Sequence, residues 1–178
     1  VTDDAALAER MAMFARHGGL KKHDHQIEGI NSRLDGLQAA ILNVKLAHLP
    51  AWTERRRALA ERYGQLLAGL DGIALPTEAD WATHVWHVYQ IRVADRDELI
   101  QQFKARGVQT GVNYPNALPF LPCYVHYGHS PEDFRQAHAL GKQTLSLPLY
   151  PELTEAHQET VAESVTQSCL KSIRLGQS

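Results

Sequence analysis

Cysteine is scarce in this sequence, long apolar runs are missing, and neither sign of charge dominates. Its 178 residues include two cysteines, Cys123 and Cys169, which form neither a disulfide framework nor a zinc-binding pattern. No stretch approaches the roughly 20 apolar residues that cross a bilayer, so we expect no membrane partner. Eighteen basic residues against 20 acidic ones give a net charge of −2, which removes the electrostatic case for nucleic acid. Few cysteines suit a reducing compartment, so we expect a cytoplasmic protein.

The sequence also lacks the common short catalytic motifs. It has no G-x-S-x-G nucleophile elbow and no Gly-rich phosphate loop. Six of its ten histidines lie in closely spaced pairs: His23 and His25, His84 and His87, His126 and His129. Three or four ligands must converge on a metal ion, and no H-E-x-x-H motif or cysteine pair accompanies these histidines. We therefore expect no metal site.

The first 30 residues predict one helix followed by a loop. Apolar residues recur with helical spacing after Asp4, which predicts an Asp4-capped helix over about residues 4–17. Residues 20–30 have neither helical nor strand periodicity, which predicts an exposed loop. The chain begins at Val1 and not at methionine, so we expect it to be a piece of a longer protein.

Two amphipathic helices are predicted next, as a long hairpin. Apolar residues recur at three- and four-residue spacing from Leu34, and Asn31 is a good N-cap for this helix. Pro50 suits the first turn of the following helix, which ends near residue 71. The polar face of that helix carries several arginines, including Arg55 and Arg62, and we expect it to be solvated.

The second half alternates strand and helix signals. Period-two alternation predicts a strand from His84 to Val93 and another over residues 108–112. Helices are predicted from Asp95 to Gly107 and from Ser130 to Gly141, and Thr154 caps a last one. Leu145–Leu147 gives a third strand before Pro148. The sequence thus predicts an α+β fold, with a helical hairpin and a three- or four-stranded sheet covered by helices.

The most specific sequence signal lies in residues 29–42. The run G-I-N-S-R-L-D-G-L-Q-A-A-I-L contains Asn31, Arg33 and a following Q-A-A. It closely resembles the G-x-N-x-R-x-x-x-x-Q-A-A segment of the DegT-type sugar aminotransferases, pyridoxal-phosphate enzymes of aminotransferase fold type I. Residues 87–89, 112–115 and 145–151 resemble further segments of the family in the same order, including its I-H-Y-P and L-S-L-P-x-Y-P strands. The resemblance covers essentially the whole chain.

This resemblance implies a division of the chain and a limit on its activity. Residues 1–30 correspond to the end of the family's large domain and an active-site loop, 31–75 to the helical hairpin, and 76–178 to the small α+β domain. Family members are about twice this long, and the lysine that forms the Schiff base lies upstream of the part that matches. None of the six lysines here lies in that lysine motif. We therefore expect no catalytic residue in this chain and no transamination by it alone. Because most of the family's cofactor pocket lies in the missing large domain, we also expect pyridoxal phosphate in the full-length family and none bound by this chain alone.

The resemblance assigns binding roles to four residues. Those matching Asn31 and Arg33 reach across a dimer to the cofactor phosphate of the other subunit, which suits an amide and a guanidinium. Tyr114 lies where the family's H-Y-P segment lines the nucleotide-sugar site. Asn113 replaces the family's histidine in that segment and cannot titrate, which removes any acid-base role at this position.

Three functions remain open at the level of sequence. The first is the C-terminal part of a homodimeric enzyme that transfers an amino group from glutamate to a keto sugar linked to a nucleotide. In the second, the chain is a natural truncated product, non-catalytic or one half of a split enzyme. The third is an unrelated binding role. In each case we expect exposed apolar helix faces and therefore self-association, at least to a homodimer.

Overall fold

The computed structural model describes residues 2–21, 24–32 and 34–175, and the chain divides into two compact units. Unit 1 is Val1–Leu49 and unit 2 is Pro50–Ser178. The domain boundaries predicted after residues 30 and 75 follow from the resemblance to longer enzymes, and they stay a prediction. No helix among the described residues is long and apolar enough to cross a membrane.

Unit 1 contains two helices joined by a long loop. Helix α1 is Ala5–Phe14, and the Asp4 carboxylate caps it by accepting the amide of Leu7 at 3.0 Å, as predicted. It is shorter than the predicted 4–17, because His17 adopts a left-handed conformation (φ 61°) that ends helical geometry. Helix α2 is Gly36–Leu46.

The predicted cap of α2 is wrong. Asp35, not Asn31, is the N-cap: its carboxylate accepts the amides of Leu37 at 2.8 Å and Gln38 at 3.4 Å. Asn31 lies five residues before the helix, in an isolated antiparallel bridge with Arg16. Both residue types are favourable caps, and the backbone pairing of Asn31 decides between them.

Unit 2 is built on a three-stranded antiparallel sheet in the order β1-β2-β3. The strands are β1 Ile73–Ala74, β2 Tyr89–Val93 and β3 Thr144–Leu147. Strand β2 is central, with Tyr89 opposite Leu147 and Ile91 opposite Leu145. Alternate residues of β2 are buried, as its period-two pattern predicted. The α+β architecture with three strands is therefore confirmed.

Four α-helices accompany this sheet: α3 Leu49–Leu66, α4 Arg96–Ala105, α5 Arg135–Gln143 and α6 Glu155–Leu175. Two 3₁₀ segments, Leu118–Phe120 and Pro122–Tyr127, lie between α4 and α5. The N-cap of α4 is Asp95, as predicted: its carboxylate accepts a hydrogen bond from the amide of Glu98 at 3.3 Å. Gly107 follows α4 with φ 74°, a value that favours glycine.

The buried core lies between the sheet and helices α3, α4 and α6. Its largest fully buried side chains include Leu59 and Tyr63 of α3, Phe103 of α4, Ile91 of β2 and Val165 of α6. The Tyr63 and Tyr89 rings lie 5.1 Å apart, and the Tyr63 hydroxyl donates to the carbonyl of Pro148 at 2.9 Å. Burial raises the pKa of Tyr89 to about 12 and that of Tyr63 further still.

Three predicted elements of unit 2 differ in the structure. Residues 108–112 form no strand, only one bridge between Gly111 and Ser146, because the amide of Val108 is bonded to Phe103 in the α4 C-cap. The strand predicted from His84 begins at Tyr89. Trp86 interrupts it with φ 50°, its amide bonded to the His84 ring at 2.9 Å.

The helix predicted from Ser130 begins at Arg135 instead. Ser130 and Asp133 form a local turn, in which the Ser130 amide and hydroxyl both donate to the Asp133 carboxylate, at 2.8 Å and 3.0 Å. These two hydrogen bonds lower the pKa of Asp133. Side-chain bonding to the backbone competes with helix formation here.

The polar face of α3 is not simply solvated, contrary to expectation. Arg55 donates to the carbonyl of Leu153 at 3.0 Å. Arg62 contacts the start of α6, with a 2.6 Å ion pair to Glu159 and a bond to the backbone carbonyl of Glu155. The backbone carbonyls of Leu153, which precedes α6, and of Glu155, at its start, accept the guanidinium donors, so these arginines connect α3 to the beginning of α6.

Candidate functional site

Asn31 is fixed in unit 1 by backbone pairing with the end of α1. The amide of Ile30 donates to the carbonyl of Phe14 at 2.8 Å, and the amide of Ser32 donates to that of Ala15 at 3.0 Å. These two bonds flank the bridge between Asn31 and Arg16. These bonds hold the backbone of Asn31. Asn31 itself is exposed, so its side-chain amide is accessible to solvent.

Glycines allow the loop before Asn31 to close on itself. A Cβ atom at Gly18 would lie 1.6 Å from the carbonyl oxygen of Ile27, and Gly18 has φ 91°. A Cβ atom at Gly29 would lie 2.3 Å from the Gly18 nitrogen and 2.6 Å from the Phe14 oxygen. No other residue type fits these positions without a shift of the backbone, so both glycines are structural requirements for placing Asn31.

The second predicted cofactor-binding residue, Arg33, lies outside the described residues, as do Lys22 and His23 of the loop. Its placement relative to Asn31 therefore stays a prediction. The structure describes residues on either side of Arg33. Ser32 is bonded to the end of α1, and Asp35, two residues after Arg33, is the N-cap of α2.

The two predicted substrate-side residues lie in unit 2, next to β3. Gly111 exchanges two backbone hydrogen bonds with Ser146, at 3.0 Å and 2.8 Å. Two residues later, the Asn113 side-chain amide donates to the Ser146 hydroxyl at 3.2 Å. One of the two amide hydrogens of Asn113 is therefore bonded within unit 2. Apart from its place in the L-S-L-P segment, no sequence signal identified Ser146 as this partner.

Tyr114 has an unusual backbone conformation and an exposed ring. Its φ is 58°, in the left-handed region that aromatic residues rarely adopt, and its side chain is 83% exposed. Pro115 follows and has no amide hydrogen to donate. The turn presents a phenol, a donor and acceptor attached to an apolar ring, at the surface of unit 2. This group can contact a sugar or a base from a fixed position.

The closely spaced histidines considered as metal ligands all lie within the described residues except His23. Among the described residues, no group of three or more His, Cys, Asp or Glu side chains is placed to hold a metal ion. The His84 ring lies tilted against that of Trp86 with centroids 4.4 Å apart, and the His129 ring lies edge-on to that of Phe134 with centroids 4.9 Å apart. Cys169 is buried and free, and burial raises the pKa of its thiol, so it is a poor nucleophile.

Comparison with known proteins gives relatives over nearly the whole chain. A dTDP-3-amino-3,4,6-trideoxy-alpha-D-glucose transaminase of Streptomyces venezuelae is 40% identical over 167 residues. This match covers 94% of the chain but 44% of that transaminase. The chain spans less than half the length of this transaminase and of other curated relatives that it matches.

Solved structures show the same relationship. The crystal structure of S. venezuelae DesV in complex with a ketimine intermediate matches with a TM-score of 0.91 and 40% identity, over 95% of this chain and 46% of that one. NtdA of Bacillus subtilis, solved with bound cofactor PMP, matches with a TM-score of 0.82 and 33% identity, over 96% of this chain and 41% of that one. The fold is that of these aminotransferases.

A family-level match agrees with the individual relatives. The DegT/DnrJ/EryC1/StrS aminotransferase family matches residues 1–166, which include unit 1 with the Asn31 loop and most of unit 2 with the Asn113–Pro115 turn. The chain belongs to the DegT/DnrJ/EryC1/StrS aminotransferase family.

Proposed function

We propose that this chain is the C-terminal part of a pyridoxal-phosphate-dependent nucleotide-sugar aminotransferase that uses glutamate as amino donor. The family match over residues 1–166 carries this proposal, together with relatives named as transaminases of dTDP-linked and UDP-linked sugars. Those relatives are about twice as long as the chain. The cytoplasm is the compartment that we propose for it.

Asn31 and Arg33 are the residues that we propose to bind the phosphate of pyridoxal phosphate. The exposed amide of Asn31, on a backbone held by the end of α1, fits a donor to a phosphate oxygen. A guanidinium two residues away adds a charge-assisted donor. Bound pyridoxal phosphate supplies the electron sink for amino transfer, and this chain supplies phosphate binding to it.

We propose that Tyr114, with Asn113 beside it, contacts the nucleotide sugar. The exposed phenol on a held backbone supports this role for Tyr114. For Asn113, one amide donor is directed to Ser146, which leaves the side-chain oxygen to accept a bond from substrate. An amide at this position keeps the same charge at every pH, so it binds and does not transfer protons.

The same proposal includes a homodimer and an inactive isolated chain. Unit 1 exposes large apolar side chains on both of its helices, for example Met11 at 53% and Leu37 at 72%. Burying such faces against a second copy would remove them from water. None of the lysines in the chain matches the family's catalytic lysine motif, so without that residue the chain alone does not transaminate.

The test is a titration of the full chain with pyridoxal phosphate, followed by absorbance, in wild type and in Arg33→Ala and Asn31→Ala variants. For the chain alone we expect no saturable binding, because most of the cofactor pocket lies in the part of the family that it lacks. Saturable binding that weakens about tenfold or more in Arg33→Ala would instead mean that the phosphate site survives in this chain, since one charge-assisted contact contributes about 1.5–3 kcal/mol. The matched control is Arg10→Ala, which removes an exposed arginine of α1 in the same unit.

Borohydride reduction and intact mass complete this experiment. We expect no single lysine to be labelled specifically, because none lies in the catalytic motif. Saturable binding that is equal in wild type, Arg33→Ala and Asn31→Ala would contradict the proposed phosphate site. A specific adduct on one lysine would instead favour a catalytic role for the chain by itself.

A further inference from the structure

The conformation of Tyr114 requires an external cause. A left-handed backbone at a non-glycine residue is unfavourable and persists only where surrounding contacts determine it. The ring of Tyr114 is 83% exposed, so its own side chain cannot supply those contacts. The flanking residues must therefore hold the turn, and both flanks have identifiable partners in unit 2.

Strand β3 holds the flank that precedes Tyr114. Gly111 pairs with Ser146 through two backbone bonds, and the Asn113 amide reaches the hydroxyl of the same serine. Ser146 is buried, so this attachment is made to a residue packed in the interior of unit 2. The chain therefore arrives at Tyr114 from a fixed direction.

Helix α5 holds the flank that follows Tyr114, at a glycine. Gly141 is buried in the last turns of α5, and a Cβ atom there would lie 3.0 Å from the carbonyl oxygen of Pro115. The same atom would lie 3.6 Å from the nitrogen of Ala117. Glycine destabilises a helix relative to alanine, so its place inside α5 has a packing reason: the Pro115–Ala117 backbone crosses the helix there.

Helix α5 is itself fixed at both ends. The Arg96 guanidinium, on a side chain only 13% exposed, donates to the carbonyl of Gly141. Near the other end, the Phe120 ring contacts those of His138 and Phe134, with centroids 5.3 Å and 6.5 Å apart. Phe120 belongs to the loop that follows Pro115, so α5 contacts this loop at two places.

We propose that Gly141 is a positioning residue for Tyr114: its missing side chain lets Pro115 lie against α5, and this contact holds the Tyr114 phenol where it meets the nucleotide sugar. Arg96 acts through Gly141 by fixing the carbonyl of that turn. The role of Tyr114 toward substrate rests on the proposed function, whereas the effect of Gly141 on the Tyr114 backbone does not.

The experiment enlarges residue 141 stepwise, with Gly141→Ala and Gly141→Val in the full chain. The NMR three-bond amide coupling and Cα shift of Tyr114 report its φ. Titration with dTDP-glucose gives the Kd. In Gly141→Ala we expect part of the Tyr114 population to leave the left-handed region and the Kd to rise about threefold. In Gly141→Val we expect all of it to leave that region and the Kd to rise at least tenfold.

The matched control is Gly64→Ala in α3, where a Cβ atom would meet nothing within 4 Å. It makes the same change of helix propensity and should leave both Tyr114 signals and the Kd unchanged. Arg96→Gln approaches the same contact from the other side, and we expect it to shift the Tyr114 signals while Arg96→Lys restores them in part. This pair keeps the inference testable if Gly141→Val does not fold.

Two results would overturn separate statements. The positioning role would be refuted if the Tyr114 coupling and Cα shift stayed at their wild-type values in Gly141→Ala and also in either Gly141→Val or Arg96→Gln. Shifted Tyr114 signals in a chain whose wild type shows no saturable binding of dTDP-glucose would support positioning and refute the substrate role of Tyr114. A merely structural role for Gly141 would lower the thermal midpoint and leave the φ of Tyr114 and the Kd unchanged.

Discussion

The two units follow the same local rules and differ in what their apolar faces contact. In unit 2, α3 buries Leu59 and Tyr63, which are 1% and 0% exposed. In unit 1, α2 has apolar residues at equivalent helical spacing, yet Leu37 is 72% exposed and Val44 is 67% exposed. Helical periodicity therefore predicted both faces correctly, while the presence of a partner for each face is a property of the tertiary structure.

A second difference lies in how each unit is held together. Unit 2 has a core of buried hydrophobic side chains around β2. In the described part of unit 1, only Gly18 and Gly19 are buried, and the loop before Asn31 is fixed by backbone bonds and close glycine contacts. Unit 2 should thus respond to loss of side-chain volume, and unit 1 to addition of a side chain where the backbone passes closely.

The largest effect is expected from Gly29→Ala in unit 1. The added Cβ would lie 2.3 Å from one backbone atom and 2.6 Å from another, so the loop must open at a cost of about 4 kcal/mol. Amide hydrogen exchange should show lost protection at Ile30 and Ser32, with β2 unchanged. The control is Gly36→Ala, where a Cβ meets nothing within 4 Å. Retained protection at Ile30 would contradict the glycine requirement.

The same substitution in both helices gives the next largest contrast. Leu59→Ala should lower the free energy of unfolding of unit 2 by about 3 kcal/mol, because it leaves a cavity in a packed core. Leu37→Ala should change stability by less than about 0.5 kcal/mol in dilute solution, because that side chain is already exposed. Urea unfolding measures both. An equal loss in the two variants would mean that Leu37 is covered in solution.

Self-association tests what covers the α2 face. Replacing Leu37 with Glu should raise the dimer dissociation constant at least tenfold, since a charge would have to be buried in the proposed interface. Sedimentation velocity over a range of concentrations measures this constant. Val125→Glu is the control, because Val125 is 75% exposed but lies in unit 2. A wild-type chain that stays monomeric at high concentration would refute the proposed homodimer.

The smallest effect is alkaline destabilisation of unit 2. Burial raises the pKa of Tyr89 to about 12 in the folded chain, above about 10 in the unfolded one. The unfolded chain therefore loses this proton first, and stability that is fully present below pH 10 declines as pH rises toward 12. Tyr89→Phe should flatten this decline in urea unfolding from pH 8 to pH 11. If the decline in stability were unchanged in Tyr89→Phe, other groups would cause it, and Tyr63, whose pKa burial also raises, would be the first to test.

Local signals were sufficient for most elements of the fold. The cap at Asp4, the start of α4 after Asp95 and the alternation in β2 depend on neighbours within a few residues, and the structure confirms them. Strand β1, with two residues, gave no such signal. The region 108–112 gave a strand signal, but its backbone groups are taken by the α4 C-cap and by a single residue of β3.

The candidate site divides in the same way. The motif around Asn31 was recognisable in the sequence, but its anchoring to the end of α1 instead of the start of α2 was not. Tyr114 was recognisable from the H-Y-P segment, whereas its left-handed backbone was not. In both cases the missing information is a contact with residues distant in the sequence, such as Phe14 or Gly141.

The sequence by itself determined the family and the α+β class and led to the residues proposed to bind a phosphate and a sugar, since these depend on residue type and short spacing. The tertiary structure alone decided which residue caps α2, which arginines of α3 contact the start of α6, and how Tyr114 is presented. The physical reason is that each backbone donor and acceptor bonds to the best available partner in the folded chain, and local preference only sets the choices.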